Sequence, residues 1–412
     1  MLPDSGLVMR IMEALSLLRS AWLVLAIVIT CAQSAVARQV QFGGITFLGD
    51  NEDIPKNYRW SSELLAATDG TGHSILEAAL RDRLSAVQNP GFSLEFGESL
   101  GSLRLGTGSN IATAFALDRE TVSKEKIGDV WKLMVTLSAQ AIFVEFTKQD
   151  HQAYATLLAS WPSVVRYTDT KSHEPTDDDV RSIVRGLYLG NLGVNIFDDF
   201  AQSLSTLRLN TEVGNRVQVK AVAIGEGAVP HLPPQFAEDR ANLEAAIAQE
   251  FNKALSVNQR IPVLPYVAGY AAAVQGNMAL RFADGSLINV KIPEADYEIY
   301  LTLKELKRLE YSKTAAGTGL IYGSYLTVRA LEPLSNKIYF DATLKNGATK
   351  LVPASQANVE DWPAFQESLL ILIQQFTQAL DAPTAAWAVK YAGNKALVAD
   401  LKKLQETLQS CR

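Results

Sequence analysis

NIATAFALDRETVSKEKIGDVWKLMVTLSAQAIFVEF, residues 110–146, has an echo later in the chain: NMALRFADGSLINVKIPEADYEIYLTLKELKRLEY, residues 277–311. Each opens on Asn and a short apolar run containing a Phe, Phe115 or Phe282. Each crosses a polar connection and then alternates, Trp131, Leu133, Val135, Thr136, Leu137 against Tyr297, Ile299, Leu301, Thr302, Leu303. Each closes on an acid and an aromatic, Glu145-Phe146 and Glu310-Tyr311. Alternation of this kind predicts strands with one face in a core. A repeat this long is a supersecondary group, so it predicts two tandem related domains.

Outward from the repeat, the flanking segments recur in the same order. Residues 40–48 read as a strand, residues 74–87 as a helix with Leu76, Leu80, Leu84 and Val87 on one face, and residues 92–96 as a short strand. After the first copy come a strand at 154–169 interrupted by Trp161-Pro162, which predicts an edge or a bulge, and helices at 178–189 and 195–207. The acids of residues 171–179 suit the positive end of the helix after them. The second round has a strand at 217–224, a stiff loop at 230–234, a helix at 238–256 carrying Leu243, Ile247, Phe251 and Leu255, and a short apolar run at 261–266. The second copy comes next, then a hairpin at 320–344 and a helix at 363–380. A last amphipathic helix, 396–409, reads as a packed terminal helix rather than a coiled coil. The expectation is an α/β (α+β) fold: a first domain at 38–212, a second, related domain at 213–381 and a C-terminal helix at 382–412, each sheet mixed or antiparallel and covered by helices.

The first 37 residues differ in kind. Arg10 and Arg19 precede the apolar run 21–29, and Ala35-Val36-Ala37 gives a small-x-small cleavage pattern, which reads as a secretory signal peptide. Met9 or Met12 is an alternative start. The segment ending at Cys31 resembles a lipobox with a poor Thr before the Cys, so acylation of Cys31 ranks below cleavage after Ala37. These features predict a periplasmic or secreted protein, with an outer-membrane lipoprotein as the lesser alternative. Cleavage removes Asp4, Glu13, Arg10 and Arg19, so the net charge of −6 is unchanged. It leaves Cys411 alone, which excludes an internal disulfide and reads as a frayed terminal thiol, or as one half of an intermolecular bridge. The acidic balance, with pI near 5.4, excludes a nucleic-acid surface.

Chemistry is sparsely signalled. Gly97-Glu98-Ser99-Leu100-Gly101 fits GxSxG after a strand, and His151, His173 and His231 lie downstream, so a serine hydrolase using Ser99 is one reading. The Gly-rich segment next to it shows no helical period, which the nucleophile elbow requires, so a chance match is preferred. The acids of residues 50–53 lack calcium-loop spacing. The Gly-rich runs at 106–109 and 317–319 lack GK[ST] and read as turns. The His residues are scattered, so no metal, cofactor or catalytic residue is assigned. His73 reads as near a helix cap, and Trp131 and Tyr297 as shared core packing.

The segments 219–266 and 296–344, with the Pro-bracketed run Ile261-Pro262-Val263-Leu264-Pro265 and a weaker echo over 40–169, resemble the TolB N-terminal-like and CsgG-like domains of bacterial envelope proteins. The resemblance implies a non-enzymatic envelope interaction or assembly module with protein partners and, at most, peripheral membrane association. The propeller repeats of TolB and the membrane-inserting strands of CsgG are missing, so no functional residue carries over. A small-molecule carrier with its ligand between the domains is the remaining reading.

Overall fold

The computed structural model describes residues 38–48, 54–70, 72–97, 110–127, 129–149, 152–190, 192–209, 214–266, 277–282, 285–356 and 359–411. The fold is mixed α/β with two sheets. The first is built on β1 (Arg38–Leu48), β2 (Phe92–Phe96), β3 (Asn110–Ile127), β4 (Val130–Gln149) and β5 (Gln152–Lys171). Helices α1 (Ile54–Asn57), α2 (Arg59–Ala66) and α3 (Ile75–Ser85) precede β2, and α4 (Asp177–Leu189) and α5 (Ile196–Thr206) come after β5. The second half contains β6 (Val217–Gly227), α6 (Pro234–Glu238), α7 (Arg240–Gln259), β7 (Asn277–Phe282), β8 (Leu287–Lys291), β9 (Tyr297–Thr314), β10 (Gly317–Glu332) and β11 (Lys337–Pro353). Helices α8 (Trp362–Ala379), α9 (Ala385–Ala392) and α10 (Leu397–Gln409) complete it.

The two sheets share a core order. β1 runs parallel to β3, and β3, β4 and β5 form an antiparallel meander. β6 likewise runs parallel to β9, and β9, β10 and β11 form the second meander. This shifts the sequence repeat. The strand holding Tyr297 opens its meander, as β3 does, whereas Trp131 lies on β4. Trp131 and Tyr297 are therefore not equivalent, and both are only half-buried. Alternating Thr-Leu strands look alike wherever they sit in a meander, so pattern alone could not fix which strand matched which.

The opening of the second copy is also placed elsewhere. β7 pairs antiparallel with β1 (Phe47 opposite Arg281), and β8 pairs parallel with β5 (Ala155 opposite Val290), so this hairpin joins the first sheet. β1, β3, β4, β5, β8 and β7 thus form a closed circuit at one end of that sheet. Residues 111–117 are consequently buried on both faces. Ile111, Phe115 and Leu117 meet the helices, while Ala112, Ala114 and Ala116 face Ile142, Val144, Leu280 and Phe282 inside the circuit. A narrow closure has room only for small side chains on part of its wall.

β1 shows how local backbone serves this core. Val40 and Phe42 have one parity, Ile45 and Phe47 the other, yet all four join the same core. The register slips between Phe42 and Ile45, where Gly44 sits at φ 94°. A Gly bulge of this kind inserts a residue and re-aims the side chains beyond it.

Helices α3, α4 and α5 start on side-chain caps, Ser74, Thr176 and Asn195. Asp177, Asp178 and Asp179 occupy the first turn of α4. Pro162 lies on the outer side of β5, where Val263 N–H donates to Ser160 O (3.0 Å) and Leu264 N–H donates to Val217 O (2.9 Å). The run 261–266 therefore bridges β5 and β6. Gly317–Gly319 is the start of β10 rather than a turn, and a Cβ on Gly317 would lie 2.2 Å from Val352 O. Cys411 is not frayed. α10 packs Leu397, Leu401, Leu404 and Leu408 into the second core and carries Cys411 in with them, 4% exposed, with burial pushing its thiol up to about 12. A thiol so enclosed is a poor partner for an intermolecular bridge.

Candidate functional site: a recess between the first sheet and helices α7 and α8

In β3 the apolar run breaks at Asp118-Arg119-Glu120. The register with β4 slips here, Leu117 opposing Ala139 and Arg119 opposing Ser138, so Asp118 is the inserted residue of a bulge. The bulge lets three consecutive charged side chains serve different neighbours. Asp118 accepts from Gln140 Nε2 (2.9 Å) on β4 and from Gln249 Nε2 (2.7 Å) on α7. Arg119 donates to Gln249 Oε1 (3.1 Å), Asn242 O (2.9 Å) and Asn242 Oδ1. Glu120 turns the other way. Its carboxylate accepts from the backbone N–H of Trp60 (3.0 Å) and Ser61 (2.8 Å) and from the Ser61 hydroxyl (2.6 Å). It thereby caps α2, whose own N-cap residue Tyr58 makes no side-chain cap.

Burial sets the electrostatics. Desolvation raises the Asp118 carboxyl above its ordinary range, against the Gln140 amide, the Arg119 charge and the Gln249 amide. Glu120 is raised for the same first reason, against its bonds from Ser61 and Trp60. Desolvation lowers Arg119, against the charge of Asp118. Buried charges persist only when they are paired or hydrogen-bonded: Asp118 and Arg119 offset one another, and Glu120 is held by hydrogen bonds alone.

α7 is the element that assembles the site. It is buried almost all round, and its polar residues meet specific partners. Glu250 pairs with Arg166 of β5, and Lys253 with Asp199 of α5 (2.7 Å). Gln259 donates to Thr377 O of α8 (2.9 Å). Between α7, α8 and the β3–β4–β5 face lies a recess enclosing about 90 Å³. Met134, Ile247, Leu369 and Ile373 line its apolar part, with Phe236 and Trp362 at 5.3 Å between ring centres. Arg119, Arg166 and Ser138 line its polar part. Ser138 is 4% exposed and its hydroxyl has no hydrogen-bond partner, so it is a buried donor and acceptor facing a hole.

The recess can bind but is not arranged for proton transfer. Both arginines are held by their partners, and both carboxylates serve them or the protein amides. Ser99 and His151, the residues of the hydrolase reading, lie outside the described residues, as do the leader, Cys31, the acids of 50–53 and the Gly-rich run 106–109. His173 sits 3.3 Å from Asp179, and the His231 ring lies against Phe365 at 5.1 Å. The backbone N–H of His73 donates to the Asp69 carboxylate (3.1 Å) in the turn before α3, consistent with its placement near a cap. Among the described residues no group of three or more His, Cys, Asp or Glu is placed to hold a metal. Sequence reading passed over Asp118, Arg119, Arg166 and Gln249. The available signal was the triplet of charges inside an otherwise apolar strand.

Fold and recess define a mixed α/β protein with a side-chain-sized pocket between its first sheet and two helices of its second half. No family model matches the chain, and no curated protein matches it. Solved structures with partial likeness include a hypothetical protein from Chlamydia trachomatis, 13% identical, covering 43% of this chain and 97% of its own, with a TM-score of 0.25. A Xanthomonas campestris protein of the DUF330 family model is 10% identical, covering 48% and 90%, TM-score 0.23. A minor lipoprotein from Acinetobacter baumannii is 13% identical, covering 44% and 96%, TM-score 0.20. No TolB or CsgG chain is among these three. Likenesses this weak bear on neither the recess nor its use.

Proposed function

We propose that the chain is an exported, non-enzymatic interaction module of the cell envelope, and that the recess receives an apolar side chain of a protein partner. The carrying observation is its size. At about 90 Å³ the space is well below the ~150 Å³ cavity that holds a benzene molecule. One aliphatic side chain suits a space of this size. Single anchors seated in desolvated pockets dominate many interfaces. Ser138, Arg119 and Arg166 at the polar end suit a backbone carbonyl beside that anchor. The export leader read over residues 1–37 and the pattern-level resemblance to TolB-like and CsgG-like domains support the envelope setting.

Ala246 on α7 lines the recess and is half-exposed, so Ala246→Leu places one aliphatic side chain in it. The expected result is at least a tenfold loss of the native-envelope complex, measured by size after mild solubilisation, with an unchanged melting temperature. Lys402→Ala on α10 serves as the control. A complex that Ala246→Leu leaves intact, in a protein of unchanged melting temperature, overturns the reading. Co-purification of a small molecule that the variant expels would replace the partner with a carried ligand.

A further inference from the structure

We infer that the free end of the second meander docks on an anionic phospholipid surface. At this end β9 runs beyond its core cover, with residues 307–311 exposed on both faces, while Leu320 of β10 and Val352 of β11 stay in the core. On the outer face, cross-strand partners set Leu309 beside Ile321 and Leu351 beside Gly319. Tyr311 is the inserted residue of a bulge, where Gly319 pairs with Ser312 and Leu320 with Glu310. Its ring occupies the space above Gly319, where a Cβ would come within 2.7 Å of it. Leu309, Tyr311 and Leu351 are 56%, 55% and 65% exposed. Packed strands bury such side chains on at least one neighbour, so an exposed cluster of them marks a contact surface.

The charge beside this patch selects the occupant. On the same face, Lys307 lies one rung back, opposite Gly323, and Lys345 two rungs back, opposite Tyr325. Glu305, on the same face, already pairs with Lys307 (2.9 Å), and Glu310 stands on the other face opposite Leu320. Lys313 stands nearer the tip, before the exposed turn at Ala315 and Ala316. An apolar end with a Tyr, backed by lysines, matches the order of a bilayer surface from acyl boundary to headgroup phosphate. The whole chain carries −6, so a basic end is a local arrangement and not a general property. A second copy of the chain fits worse. A second copy would present the same lysines, and like charges across an interface are costly.

The test is co-sedimentation of the full chain with vesicles of phosphatidylcholine alone or with about one-third phosphatidylglycerol. Binding to the anionic vesicles is expected, weakened by salt. Lys307→Ala with Lys345→Ala should reduce it about twenty-five-fold, since each lysine near such a surface contributes a factor of roughly five. Leu309→Ser with Leu351→Ser should reduce it comparably. All four side chains are exposed, so the melting temperature should hold. Equal affinity for neutral vesicles, no vesicle binding at all, or binding that both double variants leave unchanged overturns the inference. The last outcome is what the apolar leader acting alone would give. Loss of a protein complex in the variants without any loss of vesicle binding would reassign the patch to a protein partner.

Discussion

Asp118 and Glu120 lie two residues apart and share one electrostatic sign, and pH reads it out. In both, burial raises the folded-state pKa above the ordinary values of 3.8 and 4.5. Above those values, and up to the raised ones, the native state holds more protons than the unfolded chain. The contribution to stability is therefore full below the ordinary values and is lost as pH rises through the raised ones. Asp118→Asn removes one of the two groups while keeping its shape. Unfolding by urea at pH 5 and pH 7 should show wild type losing more stability than the variant over that interval. Identical losses would mean that Asp118 is not desolvated in the folded chain. The triplet was visible in sequence as polar residues, but its roles were not. A bulge re-aims side chains through one extra backbone residue, and alternation patterns assume that none is inserted.

Elements were more legible than their neighbours. Helices α3, α4, α5, α7, α8 and α10 lie close to where their apolar spacing predicts, because a 3.6-residue period and a capping side chain are local properties. Asn195 shows the coupling of cap and packing. Its Oδ1 accepts from Phe197 N–H (2.8 Å) and Asp198 N–H (3.0 Å), while its Nδ2 donates to Tyr188 O (2.7 Å) at the end of α4. One side chain thus closes the start of one helix and the end of another. Asn195→Ala should cost about 2 kcal/mol, the upper end for an N-cap, because two ends lose partners. Asn195→Asp should keep the cap and lose only the bond to Tyr188, so its cost should fall near half of that. Denaturant midpoints at constant slope measure both, and equal costs would reject the double role. α7 illustrates what spacing misses. Its face of Leu243, Ile247, Phe251 and Leu255 was readable, but Gln249, Glu250 and Gln259 look solvent-bound in sequence and are instead tied to β3, β5 and α8. Sequence periodicity reports one buried face, and a helix enclosed on all sides has no single face to report.

At the scale of the whole molecule, the meander within each half tracks the sequence, and the crossings between halves do not. Residues 39–412 form one compact unit. Its halves are joined by the β7–β8 hairpin inserted in the first sheet, by the bridging run 261–266, by the bonds of α7 to β3, β5 and α5, and by the pair Glu125–Lys350 (3.0 Å) between β3 and β11. All depend on residues far apart in the chain, and none leaves a local trace. The boundary read near residue 212 makes a sharp prediction in this light. A fragment of residues 38–212 contains β1 to β5, yet it lacks the hairpin that covers Ala112, Ala114, Ile142 and Leu157. It also lacks α7, which holds Asp118 and Arg119. Exposed apolar surface and two charges without their amide partners should leave the fragment without a cooperative thermal transition and with strong binding of a hydrophobic dye. Adding a fragment of residues 213–412 should restore the transition and expel the dye, because the missing strands and helix arrive in trans. A fragment 38–212 that unfolds cooperatively by itself, with near-ultraviolet dichroism like that of the intact chain, would show that the first half is a self-sufficient domain and that the hairpin merely decorates it.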